Sequence, residues 1–416
     1  MTTHIDSIEV PQRATGGIWE RLLAKACERL ARGTLVLVDQ GRRREFGAGE
    51  PRATITVREP RFYRRVVLGG TVGAGEAYMD GDWVCDDLVA LVRVFALNAE
   101  ALGDVDGSKT LSVQLRNLLQ HATRRNSKLG SRRNIEAHYD LSNEFFSTFL
   151  DERLMYSAAS YETADQSLEA ASEAKLARLC QKLELGPQDH LLEIGSGWGG
   201  LAIYAAQHFG CRVTTTTISP AQHELASARV REAGLSDRIE VLLRDYRELE
   251  GTYDKLVSVE MVEAVGHQYL PEYFATIDRL LKPAGLFALQ AITIEDRRYQ
   301  QALTSVDFIK KHIFPGSFIP CASELISQAA SHTRSVLVNF EDMGHDYALT
   351  LRAWRARFWE QQPRIRELGF DDRFVRMWDF YLAYCEGGFL ERAISDVQLL
   401  FAKPDYRGRP WRRQLA

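Results

Sequence analysis

The chain has 416 residues, of which 45% are hydrophobic and 26% charged, and its formal net charge is −4. This length suits two or three domains, and the slightly acidic balance argues against a general polyanion-binding protein. We find no apolar run near the roughly 18 residues of a membrane-spanning helix and no signal peptide. The six cysteines lack paired spacing, so we expect reduced thiols, no metal site and a cytoplasmic protein.

The first 105 residues predict a small mixed α/β domain. Apolar residues at helical spacing indicate helices at residues 18–32 and 86–97. Short strands are predicted at residues 34–38, 53–57 and 62–68. Glycines at residues 69–70 and 73–75 predict turns.

A basic segment at residues 107–135 contains no Asp or Glu. Its seven basic residues are Lys109, Arg116, Arg124, Arg125, Lys128, Arg132 and Arg133. Such a run suits anionic lipid headgroups or nucleic acid, and a solvated linker explains it equally well. Because the segment lacks aromatic residues that stack on bases, we expect no nucleic-acid partner. We therefore predict a basic linker at residues 106–133 that contacts a phospholipid membrane surface.

Strands and helices alternate from residue 169 onward. Strands are predicted at residues 190–194, 212–218, 239–243, 253–259 and 285–294. Helices are predicted at residues 172–183, 201–208, 222–233 and 270–281. This alternation indicates an α/β, doubly wound (Rossmann-like) domain with a parallel sheet. The aromatic-rich segment after residue 294 predicts a helical lid, so we place one catalytic domain at residues 134–416.

The glycine-rich turn at residues 191–200 is the most informative motif. Glu193, Gly195, Gly197 and Gly199 alternate with other residues between a predicted strand and a predicted helix. This spacing differs from G-x-x-x-x-G-K-[ST] and from G-x-G-x-x-G, the motifs that bind phosphates. An acid before the turn repels phosphate and suits a cation, such as the sulfonium and ammonium groups of S-adenosylmethionine (SAM). A tight turn in another kind of α/β domain is the alternative interpretation.

Two further segments at strand ends offer contacts for a nucleoside. Ser219 could cap a helix, and it or Gln222 near Thr217 could reach a ribose or the amino-acid part. Asp245 can accept a hydrogen bond from an adenine amino group, and Tyr246 can stack on the ring. Since ligands of such sheets lie beyond the carboxyl ends of the strands, we expect these residues near the glycine turn.

Glu260 and Glu263 form a pair of acids three residues apart, amid apolar residues at a predicted strand end. Acids are rarely buried unless they are paired or functional, so both are candidate catalytic residues. Solvation of the two acids at a helix end is the alternative.

Taken together, these motifs resemble the cyclopropane-fatty-acyl-phospholipid synthase family over residues 60–405. The match includes Gly-Glu-Ala-Tyr-Met-Asp-Gly-Asp-Trp at residues 75–83 and His-Tyr-Asp-Leu-Ser-Asn at residues 138–143. Further matching stretches are residues 155–157, 192–200, 217–219, 290–292, 299–316 and 384–389. The resemblance implies transfer of a methyl group from SAM to the cis double bond of a phospholipid acyl chain, with closure to a cyclopropane. It also implies a peripheral enzyme at the inner membrane leaflet that forms a homodimer.

The resemblance also assigns site residues. Tyr156 and Ser157 match residues near the amino-acid end of SAM, and Cys385 matches a cysteine near the active site. In the family, a bound bicarbonate removes the proton. Glu263 and Tyr347 match two of its ligands, and the backbone amide of residue 292 matches a third.

The chain departs from this family pattern at four positions. Ala158 replaces a common Cys, Gln290 a His, Ala264 a His and Glu260 a Gly. Either bicarbonate still binds through Glu263, Gln290 and Tyr347, or Glu263 or Glu260 takes the proton directly. If the proton is lost elsewhere along the acyl chain, the product is a methylene- or methyl-branched fatty acid.

Overall fold

The computed structural model describes residues 17–102 and 142–409. The chain divides into two compact units, residues 1–113 and 114–416. The predicted basic linker and residues 138–141 of the His-Tyr-Asp-Leu motif lie outside the described residues. In the described ranges, no helix combines the length and the apolar character needed to cross a bilayer.

The first unit contains a four-stranded sheet with the order β2-β1-β3-β4. Its strands are β1 (Gly33–Asp39), β2 (Arg42–Ala48), β3 (Arg52–Val57) and β4 (Trp83–Cys85). Its helices are α1 (Gly17–Cys27), α2 (Arg61–Met79), α3 (Leu88–Leu97) and α4 (Ala99–Leu102). The sequence analysis missed β2, because its exposed run of three arginines and a glutamate does not alternate with apolar residues.

The prediction of a strand at residues 62–68 is wrong, since these residues belong to α2. Arg61 and Arg65, one helical turn apart, both pair with the buried Asp82, and this geometry requires a helix. The helix is kinked at Gly70, which has a φ of 54°. The predicted turn at residues 73–75 is also wrong, because the helix continues beyond the kink.

The second unit contains a seven-stranded sheet with the order β10-β11-β9-β8-β5-β6-β7. Its strands are β5 (His190–Ile194), β6 (Arg212–Thr217), β7 (Ile239–Leu243), β8 (Tyr253–Val259), β9 (Leu281–Ile294), β10 (Val336–Asp342) and β11 (Ile394–Ala402). Strands β5 to β9 are mutually parallel, and β11 is antiparallel to both β9 and β10. The predicted doubly wound α/β fold is confirmed.

Helices surround this sheet. They are α5 (Asn143–Ser147), α6 (Leu168–Lys182), α7 (Gly200–Phe209), α8 (Pro220–Glu232), α9 (Leu270–Leu280), α10 (Asp296–Thr304), α11 (Ala322–His332), α12 (Gly344–Glu360), α13 (Gln362–Glu367) and α14 (Asp372–Leu390). Helical structure predicted after residue 294, most clearly at residues 347–361 and 371–384, is confirmed by α12 and α14. The segment also contains two strands that the sequence analysis did not predict, β10 and β11, which extend the sheet. β11 is buried along most of its length, so its apolar run has no periodicity that identifies a strand.

The candidate residues lie together at the carboxyl ends of the parallel strands, which form one edge of the sheet. The parallel strands β5 to β8 end there, with the glycine turn after β5, Thr217 ending β6, Asp245 after β7 and Glu260 after β8. Since β11 runs in the opposite direction, its beginning, with Asp396, lies at the same edge. Ligands of such sheets bind at this edge, next to the point where the strand order reverses.

Candidate active site

The glycine turn forms an open cradle at the end of β5. The backbone amides of Gly195 and Ser196 donate to the carbonyl oxygen of Thr216, which fixes the turn against β6. Gly197 has a φ of +48°, and a Cβ added there would meet no atom within 4 Å. Gly199, with a φ of 84°, caps α7. The turn therefore leaves open space at Gly197 near the N-terminus of α7, and open space here is consistent with the predicted SAM site.

Glu193, the acid before the turn, is 3% exposed. Its Oε2 accepts a hydrogen bond of 2.5 Å from the Thr215 hydroxyl. Burial raises the pKa of Glu193 to about 8, so the acid is mainly protonated at neutral pH in the isolated protein. A cation bound beside it would favour the ionised form.

The predicted contact residues after β6 are bonded to one another. Ser219 caps α8, as expected, by accepting from the backbone N–H of Gln222 at 3.3 Å. Thr217 Oγ1 donates to Gln222 Oε1 at 2.8 Å and accepts from the Ser219 amide at 3.1 Å. These bonds order the β6–α8 connection beside the glycine turn.

The residues after β7 are also engaged. Both carboxylate oxygens of Asp245 accept from the Arg247 guanidinium, at 2.9 and 2.6 Å. The same guanidinium lies over the Tyr246 ring, 5.6 Å from its centroid. Tyr246 packs edge-on against Tyr273 at 5.6 Å. An adenine contact through Asp245 would therefore share this carboxylate with Arg247.

Tyr156 and Ser157 lie on the side of the site that faces α6 and α14. The Tyr156 hydroxyl is 2.9 Å from that of Tyr381, and Ser157 Oγ accepts from Lys175 Nζ at 2.8 Å. Lys175 is fully buried on α6, and sequence reasoning missed it. Its burial lowers its pKa, while carboxyl groups including Glu260 oppose that shift. The signal was a lysine on the apolar face of a predicted helix.

Three hydrogen-bond donors converge on the Glu260 carboxylate. Its Oε1 accepts from the Ala158 amide at 2.7 Å and from Gln290 Nε2 at 2.9 Å. Its Oε2 accepts from the Tyr347 hydroxyl at 2.8 Å. The structure thus joins three of the predicted catalytic residues. Burial raises the pKa of Glu260, and the donors oppose that shift.

Glu263 and Asp396 complete a group of three carboxyl groups, of which that of Asp396 is buried and those of the two glutamates belong to half-buried residues. Glu263 Oε1 accepts from the Ile292 amide at 2.5 Å, whereas its Oε2 has no hydrogen-bond partner among the described residues. Burial and the nearby charge of Glu260 raise the pKa of Glu263 to about 8. Asp396 accepts from Gln290 Nε2 at 2.9 Å, and burial raises its pKa well above the usual range. Sequence reasoning missed Asp396, because it missed β11.

Aromatic side chains line this region. Tyr347 stacks on Phe389 with centroids 4.5 Å apart and meets Trp354 edge-on at 6.0 Å. Tyr156 packs against Trp354 at 5.3 Å and Phe314 at 6.3 Å. Such faces stabilise a nearby cation and exclude water.

Cys385 does not join this cluster through any contact within the described ranges. It lies on α14, and burial and the nearby Asp307 raise its pKa, so the thiol stays protonated. Its predicted place among the catalytic residues therefore remains a prediction without a supporting contact.

Comparisons with known proteins identify the family of this chain. Residues 126–399 match the family model described as mycolic acid cyclopropane synthetase. The chain is 39% identical to a tuberculostearic acid methyltransferase of Mycobacterium tuberculosis, covering 82% of each chain. It is 36% identical to the cyclopropane-fatty-acyl-phospholipid synthase of Escherichia coli K12, covering 85% of this chain and 89% of that one.

Solved structures give the same result. The cyclopropane synthase MmaA2 from Mycobacterium tuberculosis is 28% identical with a TM-score of 0.61, covering 65% of this chain and 98% of that one. The mycolic acid cyclopropane synthase CmaA1, complexed with SAH and CTAB, is 27% identical with the same TM-score and the same coverage.

Proposed function

The chain belongs to the mycolic acid cyclopropane synthetase family, and on that premise we propose that it methylates the cis double bond of phospholipid-bound acyl chains. It is a SAM-dependent C-methyltransferase. The observation that carries the proposal is the carboxylate of the half-buried Glu260, which three donors hold in an aromatic region near the glycine turn.

The chemistry explains why such a site is needed. An alkene is a weak nucleophile, so it must be held close to the electrophilic methyl group that bound SAM supplies, away from water. Methyl transfer leaves a positive charge on the acyl chain. The faces of Tyr347, Trp354 and Tyr156 stabilise this charge. A base must then remove one proton, and we assign that role to Glu260.

Bicarbonate does not fit this site well. The groups expected to bind the anion already have other partners, since Gln290 and Tyr347 donate to Glu260 and the Ile292 amide donates to Glu263. A second anion would also lie beside the ionised carboxylate of Glu260, and like charges this close are unfavourable. We therefore propose that the carboxylate of Glu260 substitutes for the anion.

Two products are compatible with this base, and each forms by loss of one proton from the transferred methyl group. In the first, a proton of the transferred methyl group passes to Glu260, and the released C–H electron pair closes a cyclopropane. In the second, a hydride shifts between the former alkene carbons before the same proton is lost, and the electron pair forms a methylene double bond. Both oxygens of Glu260 already accept hydrogen bonds, and these bonds slow the removal of a proton. Because slow proton removal gives the hydride time to shift, this observation favours the methylene-branched product.

Fatty-acid methyl-ester analysis of an expressing bacterial host without its own cyclopropane fatty acids tests the proposal. We expect a product one CH₂ heavier than the cis-monoene, and none from Glu260→Gln. Resistance to hydrogenation would identify the ring, whereas uptake of hydrogen would identify the methylene branch. A folded, SAM-binding protein that yields no heavier acyl chain would contradict the proposed reaction.

A further inference from the structure

A buried chain of hydrogen bonds connects helix α6 to the proposed base. Lys182 Nζ, at the end of α6, donates to Gln398 Oε1 at 2.8 Å. Gln398 Nε2 on β11 donates to Gln290 Oε1 on β9 at 3.0 Å. Gln290 Nε2 then donates to Glu260 Oε1 at 2.9 Å. Lys182 and both glutamines are at most 1% exposed, so these contacts are closed to bulk water.

This chain has a fixed direction. An ammonium group has donors only, so Gln398 must turn its oxygen towards Lys182 and its NH₂ group towards Gln290. Gln290 must then present its oxygen to Gln398 and its NH₂ group to the carboxyls. Both of its N–H groups are used there, by Glu260 Oε1 and Asp396 Oδ2, each at 2.9 Å. A reversed Gln290 amide would place an oxygen against two carboxyl groups.

We propose that Lys182 is a positioning residue for methyl transfer, because it fixes the Gln290 amide as a donor to Glu260 through Gln398. The donor stabilises the ionised carboxylate and holds it in place. This inference rests on the proposed role of Glu260 as the base. It assigns a function to a lysine that reaches the Glu260 carboxylate only through the two glutamines.

The surrounding charges are consistent with this role. Lys182 pairs with Glu341 Oε2 on β10 at 2.8 Å, which opposes the lowering of its pKa by burial. Arg178, one turn earlier on α6, pairs with the same carboxylate at 3.0 Å but stands outside the amide chain. The charged and titratable groups that influence Glu260 are Lys175 on α6, Tyr347 on α12, Asp396 on β11 and Glu263.

The test measures single-turnover methyl transfer to dioleoyl-phosphatidylglycerol vesicles as a function of pH. We expect Lys182→Met to move the rising limb of the pH–rate profile about one pH unit to the alkaline side. At pH values below that limb, methyl transfer should therefore be about ten-fold slower than in the wild type. Lys182→Arg, which keeps a donor-only group, should restore the wild-type profile. Arg178→Met is the matched control, because it removes a neighbouring cation from the same ion pair and should leave the profile in place.

Gln398→Met keeps the Lys182–Glu341 ion pair and breaks the chain of hydrogen bonds without changing the charge. It is therefore the variant to measure if Lys182→Met fails to fold. Its profile should shift in the same direction. Unshifted profiles in both variants, with Glu260→Gln inactive, would overturn the inference and leave the proposed function intact. An active Glu260→Gln would overturn the role of the base, and the inference with it.

Discussion

At the scale of single residues, Glu260 combines a functional side chain with an unfavourable backbone. Its φ of 46° lies in the left-handed region, where a residue other than glycine costs about 1–2 kcal/mol. Glycine is common at this position in the family that the sequence resembles. Three hydrogen bonds to the carboxylate hold the residue in this conformation. Such local strain is typical of functional sites.

Replacement of Glu260 by Gly separates these two effects. We expect Glu260→Gly to lose about 10²–10⁴-fold in methyl transfer, because the base is removed, while stability is unchanged or increased. The three hydrogen-bond donors released from Glu260 should then bind bicarbonate, and the bound anion should restore part of the methyl-transfer rate. Initial rates in carbonate-depleted buffer, with and without added bicarbonate, measure this.

Arg392→Gly is the matched control, since Arg392 is exposed and has a φ of 54° outside the carboxyl cluster. Its activity should be that of the wild type. The wild-type enzyme should not respond to bicarbonate, and a rate that falls on carbonate depletion would show that Glu260 does not substitute for the anion.

The half-buried acid Glu263 predicts a pH dependence of stability. Its pKa is about 8 in the folded chain against an ordinary value of 4.5, so the folded state binds a proton that the unfolded state releases. Its stabilisation is complete below pH 4.5 and is lost as the pH rises through about 8. Glu263→Gln mimics the protonated acid and should flatten the slope of unfolding free energy by about 1 kcal/mol per pH unit in this window. Denaturant titrations measure the slope, and the exposed Glu232→Gln should leave it unchanged.

At the scale of secondary-structure elements, the kinked helix α2 depends on one close approach. A Cβ built on Gly73 would overlap the backbone carbonyl oxygen of Arg65, whereas one on Gly69 would meet nothing within 4 Å. We expect Gly73→Ala to destabilise the first unit by about 1–3 kcal/mol, because backbone must move. Gly69→Ala should be neutral or slightly stabilising, since alanine favours the helix. Thermal unfolding compares the two, and equal effects would contradict the kinked packing.

The fold of the second unit was largely predictable where both the apolar pattern of a segment and its length indicate the same type of secondary structure. Strands β7 and β8 lie at the predicted residues, because each is a short apolar run between turns and helices. The error at α2 arose because its aromatic and β-branched start also suits a strand. Tertiary ion pairs with Asp82 decided in favour of the helix.

The candidate site was predictable only where its residues follow recognised strands. Glu260 and Glu263 follow β8, so the sequence identified them. Asp396 and Gln398 lie on β11, where burial of successive residues from 396 to 402 removes the alternation that identifies a strand. Lys182 was missed for another reason. A lysine at a helix end normally faces solvent, and only the partners on β10 and β11 explain its burial.

At the scale of the whole molecule, the first unit accompanies some relatives and not others. The match to the Escherichia coli phospholipid synthase spans 367 aligned residues and 85% of the chain. This exceeds the second unit, residues 114–416, so the match extends into the first unit. CmaA1 is covered almost completely by 65% of the chain. We therefore propose that the first unit and the basic segment serve the phospholipid membrane.

This proposal predicts membrane association that depends on salt. Each Lys or Arg near an anionic bilayer contributes about 1 kcal/mol, and salt screens this attraction beyond roughly 8 Å at physiological ionic strength. Co-sedimentation with phosphatidylglycerol vesicles should therefore weaken as salt rises. Replacing Lys128, Arg132 and Arg133 by Gln should reduce both binding and its salt dependence.

The matched control removes the same charge from exposed arginines of the second unit, namely Arg231, Arg298 and Arg334. If the basic segment docks the enzyme, this control binds like the wild type, because the total charge is equal and only its position differs. Equal loss in both triple variants would mean that net charge alone drives association. Binding that ignores salt would remove the electrostatic proposal and leave apolar contacts as the source of membrane affinity.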